Sequence, residues 1–364
     1  MTGWNDLPTE LKEIVVQMVD DEELVRDGLA RGASEEFQAL LALSAMDREL
    51  HALVSLILWQ FFAAEIAPLK GRFARRLTLY QPHSFAWDVP TLVGLYSQLL
   101  STLSSLDSLS LQCRTSVAIG LLPLLPSSLS RTVQHLQFKS WSHEEFIHSK
   151  TAAAVIYAFP NLVEAELFDI RQGEGQGASL AVDALRSLPQ LKRLSLGDGN
   201  GFSSPTSLAF PWKSSLVSLN LGEVDYTHLG VSFLRHFVDR HSNTLQELLL
   251  PFYPDDASFP TFFLPHLHTL TLYVNDDSAL LPLSFSASPL RILTIKLIGE
   301  EGDVENMVHK LTEAVAEHRV TLDAVSVEAF AHEVAGDSDQ EALDDLQALC
   351  EKEQICYDFD LVGP

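Results

Sequence analysis

The run RQGEGQGASLAVDAL, beginning at Arg171, sets Gly173, Gly175 and Gly177 between an expected strand and an expected helix. A glycine-rich turn in that place can wrap backbone N–H groups around a phosphate. Dinucleotide binding, however, calls for Gly-x-Gly-x-x-Gly directly after a buried strand. Here the spacing is Gly-x-Gly-x-Gly, and Glu174 would repel a pyrophosphate. The turn therefore reads as a flexible connection. HEEFIH, from His143 to His148, has the composition of a zinc-protease helix. Its imidazoles stand five residues apart, roughly 140° around a helix, and so cannot share one metal as an i, i+4 pair does. His266 and His268 fall on one face of an expected strand without a third ligand close by, and read as flanks of Leu267 at a repeat edge. No Gly-x-Ser-x-Gly elbow, Walker loop or Cys-x-x-Cys pair occurs. The expectation is a protein that is not an enzyme and that uses no metal and no cofactor.

Composition points the same way. The chain of 364 residues is 46% apolar, enough for a folded core. Its 49 acidic and 24 basic residues leave a net charge of -25, which a phosphate backbone would repel, so nucleic acid is not expected as a partner. The three cysteines, Cys113, Cys350 and Cys356, are too few and too scattered for a disulfide framework, and no Asn-x-Ser/Thr acceptor is present. A reducing compartment, cytoplasmic or nuclear, is expected. The most membrane-like stretch, LHALVSLILWQFFAA from Leu50 to Ala64, is closed by Glu65 before it reaches the roughly 18 to 20 residues a bilayer needs. It reads as a buried helix, and no membrane association is expected.

What would position any binding residue is a repeat. The pattern apolar-x-x-apolar-x-apolar returns as LDSLSL at 106, VQHLQF at 133, LVEAEL at 162, LKRLSL at 191 and LVSLNL at 216. It continues as LQELLL at 245, LHTLTL at 267, LRILTI at 290 and LDAVSV at 322, with a poorer copy, ARRLTL, at Ala74. Each copy alternates with period two, as a short strand does. Most are followed by a helix-like segment such as ASLAVDALRSL or VSFLRHFVDRH. The tail reads as a loop, a helix from Gln340 to Lys352 and a last alternating strand, as a capping unit would.

One strand and one helix per unit resembles the leucine-rich repeat family, in an irregular branch, over roughly residues 70 to 361. The turn Asn or Cys of regular members is matched only by Asn275. The resemblance implies an α/β fold: a curved solenoid with a parallel strand on the concave face of each repeat. Period two sends the motif leucines inward and the residues between and after them outward. Outward positions rich in aromatic and charged residues cluster between 76 and 193. Arg76, Tyr80, His135, Gln137, Lys139, Glu164, Glu166, Phe168 and Arg193, with the neighbouring Trp141, are the expected binding residues for a partner protein.

Ahead of the repeats, LPTELKEIVVQMVD carries Leu7, Leu11, Ile14, Val15 and Met18 on one helical face, with Pro8 in the first turn. Leu40, Leu43, Leu50, Leu53, Leu56, Leu58 and Trp59 make a second apolar helical pattern. Together they describe a small bundle with more apolar surface than it can bury alone. This stretch resembles the F-box family: its opening matches Leu-Pro-x-Glu-Leu followed by Ile and a short acidic turn, and LVSLILWQFF matches the closing Leu-Trp segment. The resemblance implies an F-box-like helical domain over 1–65 and an irregular leucine-rich-repeat domain with a C-terminal cap over 66–364. It also implies a substrate-recruiting adaptor of an SCF-type ubiquitin ligase. Leu7, Pro8, Leu11, Ile14, Val15, Met18, Leu43, Leu58 and Trp59 would then meet a Skp-family adaptor and, through it, the cullin ligase, while the repeats hold an unknown protein substrate. The alternative is a repeat scaffold, without ligase function, whose N-terminal helices only cap the solenoid.

Overall fold

The computed structural model describes residues 74–80, 88–140, 146–171, 180–197, 211–222, 231–250, 261–274, 284–297, 304–330 and 337–362. The chain divides into two compact units, Met1–Gly173 with Leu180–Gln190, and Glu174–Ser179 with Leu191–Pro364.

In the first unit the motif copies become strands β1 (Arg76–Tyr80), β2 (Ser108–Gln112) and β3 (His135–Lys139). After them come β4 (Ile147–His148), β5 (Glu164–Leu167) and β6 (Ile170–Arg171). β1, β2, β3 and β5 form a parallel ladder in that order, and β4 pairs with β6. Parallel neighbours need crossover connections, and helices supply them. They are α1 (Val89–Thr102), α2 (Thr115–Leu121), α3 (Leu129–Thr132) and α4 (Ser149–Ala158), and α5 (Leu180–Ser187) follows β6. Pro90 lies in the first turn of α1, where a missing N–H costs nothing. Leu92, Tyr96, Leu99 and Leu100 then bury one face of that helix. The Ser149 hydroxyl, at the start of α4, accepts the Ala181 N–H at the start of α5 at 3.0 Å, a cap delivered across 32 residues.

The second unit carries β7 (Arg193–Leu196), β8 (Ser218–Asn220), β9 (Glu247–Leu250), β10 (Thr269–Val274), β11 (Ile292–Leu297), β12 (Ala324–Phe330) and β13 (Cys356–Val362). All are parallel and stand in sequence order. α6 (Val231–His241) precedes β9, α7 (Val304–His318) precedes β12, and α8 (Asp337–Glu353) precedes β13. Asp339 of α8, itself buried, accepts the Glu305 N–H in the first turn of α7 at 3.0 Å. Among the described residues, no α-helix lies between β9 and β10 or between β10 and β11. There Phe262 and Phe285, fully buried and stacked with centroids 5.2 Å apart, supply the apolar cover.

The repeat sets the register. Leu77, Leu109, Leu136 and Ala165 stand opposite one another across the first ladder. Leu194, Leu219, Leu248, Leu270, Leu293, Val325 and Tyr357 do so across the second. The leading leucines Leu106, Leu162, Leu191, Leu216, Leu245, Leu267 and Leu290 are fully buried just before their strands. Backbone bonding repeats as faithfully. Asp107 and Ser108 both donate to the Arg75 carbonyl, and Gln134 and His135 both donate to Asp107. Further on, Arg291 and Ile292 donate to His268, and Asp323 and Ala324 donate to Arg291. Burial alternates along β2, β3, β10 and β11, so one sheet face faces the core and the other remains open. Parallel sheets covered on both faces read instead as continuous apolar runs.

Candidate interaction surface

On the open face of the first unit, strand register places the outward residues in rows. Arg76, Ser108, His135 and Glu164 form one row, and Thr78, Ser110, Gln137 and Glu166 the next. Side chains then link across strands. His135 Nδ1 and Glu164 Oε2 lie 2.8 Å apart, both partly exposed. The Ser110 hydroxyl donates to Gln137 Oε1 at 2.6 Å, and Gln137 Nε2 donates to Glu166 Oε2 at 2.7 Å. Gln112 Nε2 reaches the same Gln137 oxygen at 3.4 Å. Lys139 Nζ sits 5.4 Å from the centre of the Phe168 ring, within cation–π range.

The structure thus brings together Arg76, His135, Gln137, Lys139, Glu164, Glu166 and Phe168. It also corrects their expected exposure. Arg76 is exposed, but His135, Gln137, Lys139, Glu164, Glu166 and Phe168 are half-buried, because each spends surface on a cross-strand neighbour. Arg193 is exposed but belongs to β7 of the second unit. Tyr80 ends β1, and its side chain is outside what is described, as is all of Trp141. Leu7, Pro8, Leu11, Ile14, Val15, Met18, Leu43, Leu58 and Trp59 lie outside the described residues as well. Ser110 was missed by sequence reasoning, since nothing about a lone serine announces a partner 27 residues on. Only register reveals it.

The second unit repeats the arrangement with other residues. Lys296 Nζ bonds Glu328 Oε2 at 2.8 Å and lies 5.6 Å from the centre of the Tyr273 ring. The hydrogen bond to Glu328 raises the ammonium pKa above its ordinary value, against a smaller opposing effect of burial.

The chemical alternatives weighed in the sequence find these positions. His148, in β4, is exposed, and His143 and the glycine run lie outside the described residues. The strand expected around His266 and His268 begins only at Thr269, so both imidazoles flank buried Leu267 before the strand starts. Among the described residues, no group of three His, Cys, Asp or Glu side chains could hold a metal ion, and no helix is long and apolar enough to cross a membrane. All three cysteines are free. Burial pushes the Cys113 thiol up to about 12 and the Cys350 thiol up to about 11, so neither is an accessible nucleophile, while Cys356 is exposed. What the open faces offer is a surface of donors, acceptors and ring edges fixed by cross-strand bonds. No protein-family model matches this chain, and no curated protein is significantly similar to it in sequence.

Proposed function

We propose that this protein is an F-box-type substrate receptor. Its N-terminal helices bind a Skp-family adaptor of an SCF-type ubiquitin ligase, and the open faces of its leucine-rich repeats hold the protein to be modified. It performs no bond chemistry of its own and works by raising the effective concentration of one partner near another. The cytosol or nucleus suits a chain whose three thiols are free.

The observation that carries the repeat half of this reading is register. The middle apolar residue of each motif copy pairs with its counterpart in the next, from Leu77 to Ala165 and from Leu194 to Val325. A stack of equivalent units buried on one side leaves an open side for a partner. The adaptor half rests on the Leu-Pro-x-Glu-Leu opening and the Leu-Trp closing segment.

Co-purification with a Skp-family adaptor tests it. Replacing Leu7 and Leu11 together with Asp abolishes the complex, since each buried leucine contributes about 1.5–3 kcal/mol. If the folded double variant still bound the adaptor, or the wild type did not bind it, the ligase role would fall and a repeat scaffold would remain. Replacing Tyr80, Phe168 and Arg193 with Ala releases a recruited partner and leaves adaptor binding intact. Retention of every partner by that variant would remove the open face from the reading.

A further inference from the structure

The C-terminal strands of the second unit carry an open face that lies outside the stretch from 76 to 193, where the receptor reading places its binding residues. Ile292, Ala324 and Cys356 stand in register across β11, β12 and β13. Ile292 is 42% exposed, and Cys356 is exposed beyond Ala324, so the row is an apolar strip open to solvent. The row runs into a shallow depression of about 340 Å³ lined by His268, Arg291, Ile292, Asp323 and Ala324.

Two polar rows follow along the same strands, Thr294–Ser326–Asp358 and then Lys296–Glu328–Asp360. Their charges do not balance. Arg291 is engaged by Asp323 at 2.7 Å and Lys296 by Glu328 at 2.8 Å. Asp358 and Asp360 are exposed and have no cation within ion-pair distance among the described residues. Asp360 also stands directly opposite Glu328, and like charges facing each other across a strand pair repel.

An apolar row beside unbalanced carboxylates specifies its occupant. Nucleic acid and anionic lipid surfaces are repelled by these aspartates and by the net charge of -25. A second copy would bring the same carboxylates face to face. We infer that the open face of β11–β13 docks an extended basic segment of a partner protein, with one apolar side chain over Ile292–Ala324–Cys356 and Lys or Arg side chains on Asp358 and Asp360. The rows are spaced two residues apart along the strands. An extended segment has the same period, so the matching pattern is apolar-x-basic-x-basic.

Fluorescence anisotropy with the full chain tests this, using a labelled peptide containing Leu-Ser-Lys-Ser-Lys and a control containing Leu-Ser-Glu-Ser-Glu. The lysine peptide binds, the glutamate peptide does not, and added salt weakens binding. Asp358→Asn with Asp360→Asn, which removes the attracting charges and keeps shape, lowers affinity by about fivefold or more. Ile292→Ser lowers it at every salt concentration. Equal binding of the two peptides, or unchanged affinity in the double Asn variant, would overturn the proposal. So would a concentration-dependent dimer in sedimentation that Ile292→Ser abolishes, since the face would then pair copies of this chain. Adaptor binding through the N-terminal helices plays no part in these readouts, and failure here leaves that reading standing.

Discussion

His241 Nδ1 accepts the backbone N–H of Leu216 at 3.3 Å, joining the last residue of α6 to the approach of β8 one repeat earlier. The imidazole is buried and meets Trp212 and Phe237 edge to face, with centroids 5.4 and 5.3 Å away. Its Nε2 has no hydrogen-bond partner among the described residues. Accepting at Nδ1 requires that nitrogen to be unprotonated, so the bond exists only in the neutral ring.

Acid should therefore loosen this repeat. Burial, and after it the nearby Arg240 charge, lower the His241 pKa from 6.5 to about 4. The unfolded chain binds a proton more readily than the folded one, so the contribution is fully present above pH 6.5. It is lost as pH falls toward 4, by about 3 kcal/mol across the window. Urea unfolding of wild type and His241→Phe between pH 8 and 4 measures it. The Phe variant starts less stable, because the Leu216 N–H loses its acceptor, and loses less on acidification. Parallel pH curves for the two proteins would show that His241 does not couple folding to protons.

Gln354 follows α8 with φ 62, a left-handed conformation that side chains disfavour, and it lets the Ile355 N–H reach the Cys350 carbonyl at 2.8 Å. Glycine holds that conformation without strain. Gln354→Gly should stabilise the C-terminal strand by about 0.5–1 kcal/mol, and Gln354→Val should destabilise it. Thermal unfolding separates the two, and a Gly variant with a lower Tm than the Val variant would refute the account.

Gly222 lies beneath a side chain of the open face. A Cβ there would come within 2.2 Å of Leu249 Cδ2 and 3.0 Å of Tyr273 Cε2. Both contacts are with side-chain tips rather than backbone, so Gly222→Ala should cost only about 1–2 kcal/mol, spent in displacing Leu249. In a Leu249→Ala background the same substitution should cost close to nothing. Equal costs in the two backgrounds would place the clash elsewhere.

The strands were legible because a parallel, one-sided sheet writes itself into sequence as a period of two at a recurring interval. The ten motif copies lie at β1 to β3, β5 and β7 to β12. The expected helix from Gln340 to Lys352 is the body of α8, and the last alternating run is β13. A second recurring signal stands beside the leucines. His-x-x-Thr-Leu occurs at both His241 and His318, and in each case the histidine carbonyl takes the Thr and Leu N–H groups as the helix turns toward the next strand. Leucine periodicity overshadows it, since the histidine stands outside the apolar pattern.

Which residues could face a partner was thus determined by the sequence alone, through alternation, because a strand has only two sides and the apolar residues claim one of them. Which of those residues touch one another was decided by tertiary structure. Gln137 finds Ser110 and Glu166, His135 finds Glu164, and Lys296 finds Glu328 only because the ladder sets strands tens of residues apart in one register. The same register leaves Asp358 and Asp360 without a cation among the described residues, where β13 is the last strand of its ladder and receives a neighbour on one side alone. Side-chain pairing is a property of distance in space, and a repeat of uneven length does not reveal that distance until its leucines have stacked.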